Sequence, residues 1–105
     1  NLYEWNPNVT LLRTNAAENQ KMGKMLAEAA NAATGPVAVI LPLKGVSMLD
    51  SESERFWDPE ADAACYDAIR QNLRPGIEVI EADHNINDPE FAELCAKTLL
   101  KMLEK

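Results

Sequence analysis

Histidine occurs once in these 105 residues, cysteine twice and glycine four times, and each scarcity closes off a class of chemistry. With a lone His84 and with Cys65 and Cys95 far apart, no two His or Cys residues stand at metal-ligand spacing, so no metal site is expected. Two distant thiols make no disulfide framework either, which reads as a reduced, cytoplasmic protein. The glycines, Gly23, Gly35, Gly45 and Gly76, are scattered, leaving neither a G-x-G-x-x-G fingerprint nor a P-loop. No apolar run approaches the roughly 20 residues that span a membrane, and no signal-peptide pattern opens the chain. Positive charge is short as well, with 10 Lys and Arg against 17 Asp and Glu and a net charge of −7. That is the wrong sign for gripping a nucleic-acid backbone. Neither nucleic acid nor membrane is an expected partner. The first residue is Asn rather than Met, which reads as a piece of a longer protein.

What is present is ordinary globular composition, 47% hydrophobic and 26% charged, in an alternating pattern. Val9 to Thr14 is a short β-rich run. Asn15 and Glu18 have capping-box spacing, and Met22, Met25, Leu26, Ala29, Ala30 and Ala33 follow on one helical face. Gly35-Pro36 is expected to end that helix as a left-handed cap. Val37 to Leu43 is apolar on both faces, the mark of a central strand in a parallel sheet. A long loop, 44–57, leads to Asp58-Pro59 and a helix whose face is Ala61, Cys65, Ala68, Ile69 and Leu73. Arg74-Pro75-Gly76 turns the chain into Ile77 to Ala82, a third strand. Asp88-Pro89 then starts a helix with a stripe (Phe91, Leu94, Cys95, Leu99, Leu100, Met102, Leu103) wide enough to predict cover beyond one sheet face. The predicted fold is α/β: a three-layer, Rossmann-like β-α-β-α-β-α domain over 9–105 with a small parallel sheet. Residues 1–8 read as an arm or linker from a missing preceding subdomain.

Ligands of open parallel sheets collect beyond the carboxyl ends of the strands. The three predicted strands deliver Arg13 and Thr14, then Lys44, Gly45 and Ser47, then Asn87 and Asp88 to that edge. Two cations, two hydroxyls, a flexible turn and two helix N-termini suit an anion, a nucleotide phosphate or a carboxylate metabolite. No catalytic residue is assigned. Asp58 and Asp88 read as helix caps. The acidic run Asp50, Glu52, Glu54, Asp58, Glu60 and Asp62 reads as a solvated loop and first helical turn, and Phe56 and Trp57 as a pin holding the loop to the domain.

VTLLRT, AATGPVAVILPLKGVS, FWDPEADAA and INDPEFA, with the closing amphipathic helix, resemble the C-terminal part of the tomato-mosaic-resistance, Tm-one-like family of ATP-binding proteins, from about Asn8 onward. The resemblance implies two α/β subdomains, of which this chain is similar to the second. ATP would bind through the absent N-terminal subdomain, so no cofactor is expected in this chain. It further implies a homodimer and a TIM-barrel enzyme as partner. The family's motif positions fall on Arg13, Thr14, Lys44, Gly45, Ser47, Asp58, Asn87 and Asp88. Where the family often carries a histidine before Ile-Asn-Asp, this sequence has Asn85, with His84 one place earlier. The reading is an anion site at the cleft between subdomains; the rival is a dimerisation or partner-binding module without chemistry.

Overall fold

The structure, a computed structural model, describes residues 2–104. The chain runs β1 (Leu2–Asn6), β2 (Val9–Leu12), α1 (Ala16–Ala32), β3 (Ala38–Pro42), α2 (Pro59–Asn72), β4 (Glu78–Ala82) and α3 (Pro89–Leu103). β3 and β4 are parallel and in register, Val39 beside Val79 and Leu41 beside Glu81. The α/β class with a small parallel sheet is as expected. Membership of that sheet is not. Val9 to Thr14 is the expected first strand of that sheet, yet β2 pairs antiparallel with β1 in a separate hairpin. The stretch read as an arm supplies the partner: Leu2–Asn6 lies against Val9–Leu12 with a short turn between, and local pairing needs no crossover.

Helix boundaries follow local chemistry. The α1 capping box forms in both directions, Glu18 N–H to Asn15 Oδ1 at 2.8 Å and Asn15 N–H to Glu18 Oε1 at 2.9 Å. Asp58 caps α2 through the Ala61 N–H at 3.1 Å. Asp88 sits at the N-cap of α3 but makes no capping bond; its Oδ2 accepts from Asn85 N–H at 2.9 Å instead. Nor is Gly35 a left-handed cap. α1 stops at Ala32 with Ala33 extended at φ −67°, and the positive-φ glycines are Gly45 and Gly76.

α2 lies on one face of the sheet, where Tyr66 and Ile69 pack with Leu41, Val39 and Val79. α1 lies beside α2. The face of α1 in that contact is its small one, not the expected Met/Leu stripe: Asn19, Gly23 and Ala27 are buried. A Cβ on Gly23 would stand 2.3 Å from the Cys65 carbonyl oxygen, so only a bare backbone admits the helices so closely. α3 covers the other face, where Ile40, Cys95, Thr98 and Met102 line one shallow groove. At 49 × 29 × 25 Å with a radius of gyration of 15.0 Å, the molecule is more drawn out than the ~13 Å typical of 100 residues. Much apolar surface stays uncovered as a result, including Trp5, Leu12, Leu26, Met48, Leu100 and Leu103, each more than half exposed.

Candidate functional site

The sheet's carboxyl end carries the loop 44–57, and buried polar groups hold that loop. Leu43 and Lys44 N–H continue the ladder to Ala82 O (2.9 Å) and His84 O (3.1 Å). The chain then turns at Gly45, φ 122°. A Cβ there would lie 1.6 Å from Asp50 O, so glycine is required by conformation and by space. Asn85, 8% exposed, braces the turn from β4's side. Its Nδ2 points to three carbonyls, Ser47 O at 2.9 Å, Asp50 O at 3.2 Å and Lys44 O at 3.3 Å. Ile86 N–H closes the link on Gly45 O at 3.0 Å.

A buried charge cluster holds the other half. Arg13, at the end of β2, donates from Nε to Phe56 O (3.0 Å) and from Nη2 to Asp62 Oδ1 (2.7 Å), with Asp50 Oδ1 3.3 Å away. Asp50 also accepts from Val46 N–H (3.0 Å) and Asp58 N–H (3.3 Å). It is 1% exposed and Asp62 is 4% exposed. Two carboxylates face one guanidinium, and Asp62 Oδ2 is buried without a partner. Protonating Asp62 relieves the excess of negative charge. Burial first, and then the neighbouring Asp50, push the Asp62 carboxyl up to about 7, against the pull of Arg13. Burial works against the Arg13 charge, but the bond to Asp62 and the carboxylates around it keep the guanidinium more firmly protonated than usual. Tyr66 donates to Pro42 O at 2.7 Å; burial, then Asp62 and Asp50, raise its hydroxyl pKa.

The acidic run is therefore divided. Asp50 and Asp62 belong to the interior, which the sequence reading missed. A signal was available: Asp62, Tyr66, Ile69 and Leu73 share one helical stripe, so Asp62 stands in line with core residues. Among the described residues no three of His, Cys, Asp and Glu are grouped so as to hold a metal ion. Phe56 acts as the expected pin, 7% exposed, with Tyr3 edge-on at 6.1 Å and Arg55 stacked 4.4 Å over the Tyr3 ring.

Between the hairpin and this loop opens a cleft of about 690 Å³, lined among others by Trp5, Leu12, Arg13, Thr14, Ser47 and Met48. It brings together three of the seven sequence-predicted site residues. Thr14 Oγ1 accepts from Asn19 Nδ2 at 2.9 Å, and Ser47 Oγ from Asp50 N–H at 3.0 Å, so each hydroxyl still has its proton to donate. Gly45 and Lys44 lie behind the cleft rather than in its lining; the Lys44 ammonium is well exposed, 3.8 Å from Asp83. Asn87 is exposed beside Asn85 and Asp88 is half-buried, 3.9 Å from His84. Neither of those two lines the cleft.

A small parallel sheet between helices, with a braced loop beyond its strand ends, defines an α/β domain. The chain belongs to the uncharacterised protein family UPF0261: the model described as "Uncharacterised protein family (UPF0261) C-terminal domain" matches residues 1–103. It is similar to a UPF0261 protein of Clostridium tetani, 42% identical over 106 residues, covering 100% of this chain and 26% of that protein. A UPF0261 protein of Mesorhizobium japonicum is 43% identical over 99 residues, 92% of this chain and 25% of the relative. The ToMV resistance protein Tm-1(GCR237) of Solanum lycopersicum is 36% identical over 108 residues, 99% of this chain and 14% of its own length. The chain thus spans about a quarter of the two bacterial relatives. No helix among the described residues is long and apolar enough to cross a membrane.

Proposed function

We propose that this domain supplies one wall of an anion-binding cleft in a longer protein, the ligand being a nucleotide phosphate or a carboxylate-bearing metabolite. The observation that carries the reading is the loop 44–50, fixed by Asn85 and Asp50 around a left-handed Gly45. A loop held so firmly by buried polar groups is preorganised, and it carries Ser47 to a cleft shared with Thr14. Both hydroxyls act as donors to the anion, and the exposed Lys44 at the start of the loop adds positive charge. Arg13 contributes mainly by holding the loop, because its Nε and Nη2 bonds go to the chain itself. Asn87 and Asp88 support Asn85 from behind. Nucleotide binding, with ATP as its leading form, rests on the family resemblance and on the remainder of the longer protein.

The test is a thermal-shift screen of the full-length protein with nucleotides, phosphorylated metabolites and small carboxylates. A ligand at about 100 times its dissociation constant adds roughly 2.7 kcal/mol. Lys44→Ala and Ser47→Ala are each expected to abolish that gain, and Lys44→Ala does so without changing the unliganded melting temperature. A second reading is favoured by the exposure of Trp5, Leu12 and Met48 around the same cleft: a binding module whose apolar rim packs on the rest of the longer protein. Under that reading no anion shifts the melt, Lys44→Ala is silent, and Trp5→Ala loosens the domain from its neighbour.

A further inference from the structure

β3 is the most apolar strand of the chain, Ala-Val-Ile-Leu-Pro, and among the described residues it pairs only with β4. Parallel strands alternate their hydrogen-bonding sides. Leu43 N–H reaches Ala82 O, so Leu41 and Val39 also face β4. Ala38 and Ile40 then turn their amides outward, toward a side with no strand. The outermost position there is Pro42, whose carbonyl is already satisfied by Tyr66 and Gly45. Edge strands are ordinarily protected by charge or a cover. β4 has that protection, with Glu78 and Glu81. β3 has none.

The helices on both faces point to the same place. α2 presents Cys65 and Ala68 toward α1, and its opposite flank carries Arg70, bonded to Glu81 of β4 at 2.5 Å. α1 therefore lies on the β3 side of α2. Packed helices lie about 8–10 Å apart, roughly two strand spacings, which puts α1 above the lane next to β3. Its outer flank is polar, with Gln20, Lys21 and Lys24 on the solvent side of the α1–α2 groove. Its inner flank holds Met22, Met25 and Leu26, exposed by 38%, 63% and 57%. Below the sheet, α3 is arranged the same way. Lys97 and Lys101 flank β4's Glu78, while Leu99 flanks Ala38 and Ile40, and Leu103 continues on that side at 68% exposure.

We propose that the open edge of β3 is a strand-addition site, filled in the full-length protein by an extended apolar segment from outside these 105 residues. The lane has a hydrogen-bonding wall, an apolar roof (Met22, Met25, Leu26) and an apolar floor (Leu99, Leu103). A strand apolar on both faces fits it, as a buried parallel-sheet strand must be. The donor is available, because the chain spans only 26% and 25% of its bacterial relatives. A second copy fits poorly: its β3 would bring its own α1 and α3, and these would collide with the helices already overhanging the lane.

Residue-resolved hydrogen exchange on a full-length protein carrying this sequence tests the proposal. The Ala38 and Ile40 amides are expected to exchange about a hundredfold or more slower than unbonded amides, as Val39 and Leu41 do. Fast exchange at Ala38 and Ile40 beside slow exchange at Val39 and Leu41 would overturn it. A photoreactive side chain at Met25 then identifies the occupant. Cross-links to residues outside this chain support the proposal, whereas cross-links to Val9–Leu12 or to a second copy overturn it. Neither measurement involves the cleft at residues 44–57, so the two proposals stand or fall separately.

Discussion

The two sides of this domain invert the usual rule of burial. Around the loop 44–57, charged and amide groups are buried and bonded: Arg13, Asp50, Asp62 and Asn85 are each at most 9% exposed. Beside β3, methionines and leucines stand in the open while Gly23 and Ala27 of α1 are packed. Burying polar groups is costly unless each finds partners, so their concentration marks a part of the structure whose shape matters. Exposing a continuous apolar flank is costly too, and marks a surface completed by something else. One side is finished and rigid. The other is waiting for its neighbour.

Substitutions sharpen this contrast, and the largest effects belong to the finished side. Arg13→Met leaves Asp50 and Asp62 buried beside each other, and about 3–5 kcal/mol of unfolding free energy is expected to be lost in urea titrations; a change below ~1 kcal/mol would mean that the cluster is solvated. Gly45→Ala combines a left-handed backbone with a clash on Asp50 O, for about 3 kcal/mol, and should also abolish any anion-induced stabilisation. Asn85→Leu leaves three carbonyls short of a donor and costs about 2 kcal/mol, read most directly as faster amide exchange through residues 44–50.

The pH response has a definite sign. Asp62 titrates near 7 in the folded state against an ordinary value of 3.8, so the folded chain binds the extra proton between those values. Its contribution to stability is complete below pH ~4, declines by up to about 1.4 kcal/mol per pH unit as pH rises, and is gone above ~7. Asp62→Asn keeps a neutral, hydrogen-bonding group in place and is expected to flatten that slope and raise the melting temperature at pH 8. An unchanged slope would assign the titration elsewhere. Smallest of all is Leu26→Lys on the unfinished side. In this chain it should move stability by no more than about 0.5 kcal/mol, while in the full-length protein it puts a charge into a covered lane and lowers the melting temperature.

Much of the local structure was legible in the sequence because its causes are local. The Asn15/Glu18 capping box, the Asp58-Pro59 helix start, the turn at Gly76 and the Phe56 pin each depend on residues within a few positions or on one bulky side chain. The site was partly legible: Arg13, Thr14 and Ser47 do meet at one cleft. The role of Arg13 was not, because nothing in the acidic run distinguishes Asp50 and Asp62 from the exposed Glu52 and Glu54 until the chain is folded. Asn85 was noticed only as a departure from a histidine, although its amide is the brace between the two strand-end loops.

By itself, then, the sequence determined the α/β alternation, the starts of α1 and α2 and the long loop after β3, since periodicity and capping act over a few residues. Only the tertiary structure decided which strand pairs with which, which carboxylates are buried around Arg13, and which face of α1 is buried. Those outcomes depend on competition between distant segments: β1 takes β2 into a hairpin, Gly23 lets α1 close on Cys65, and β3 keeps an edge that its own sequence marks as central.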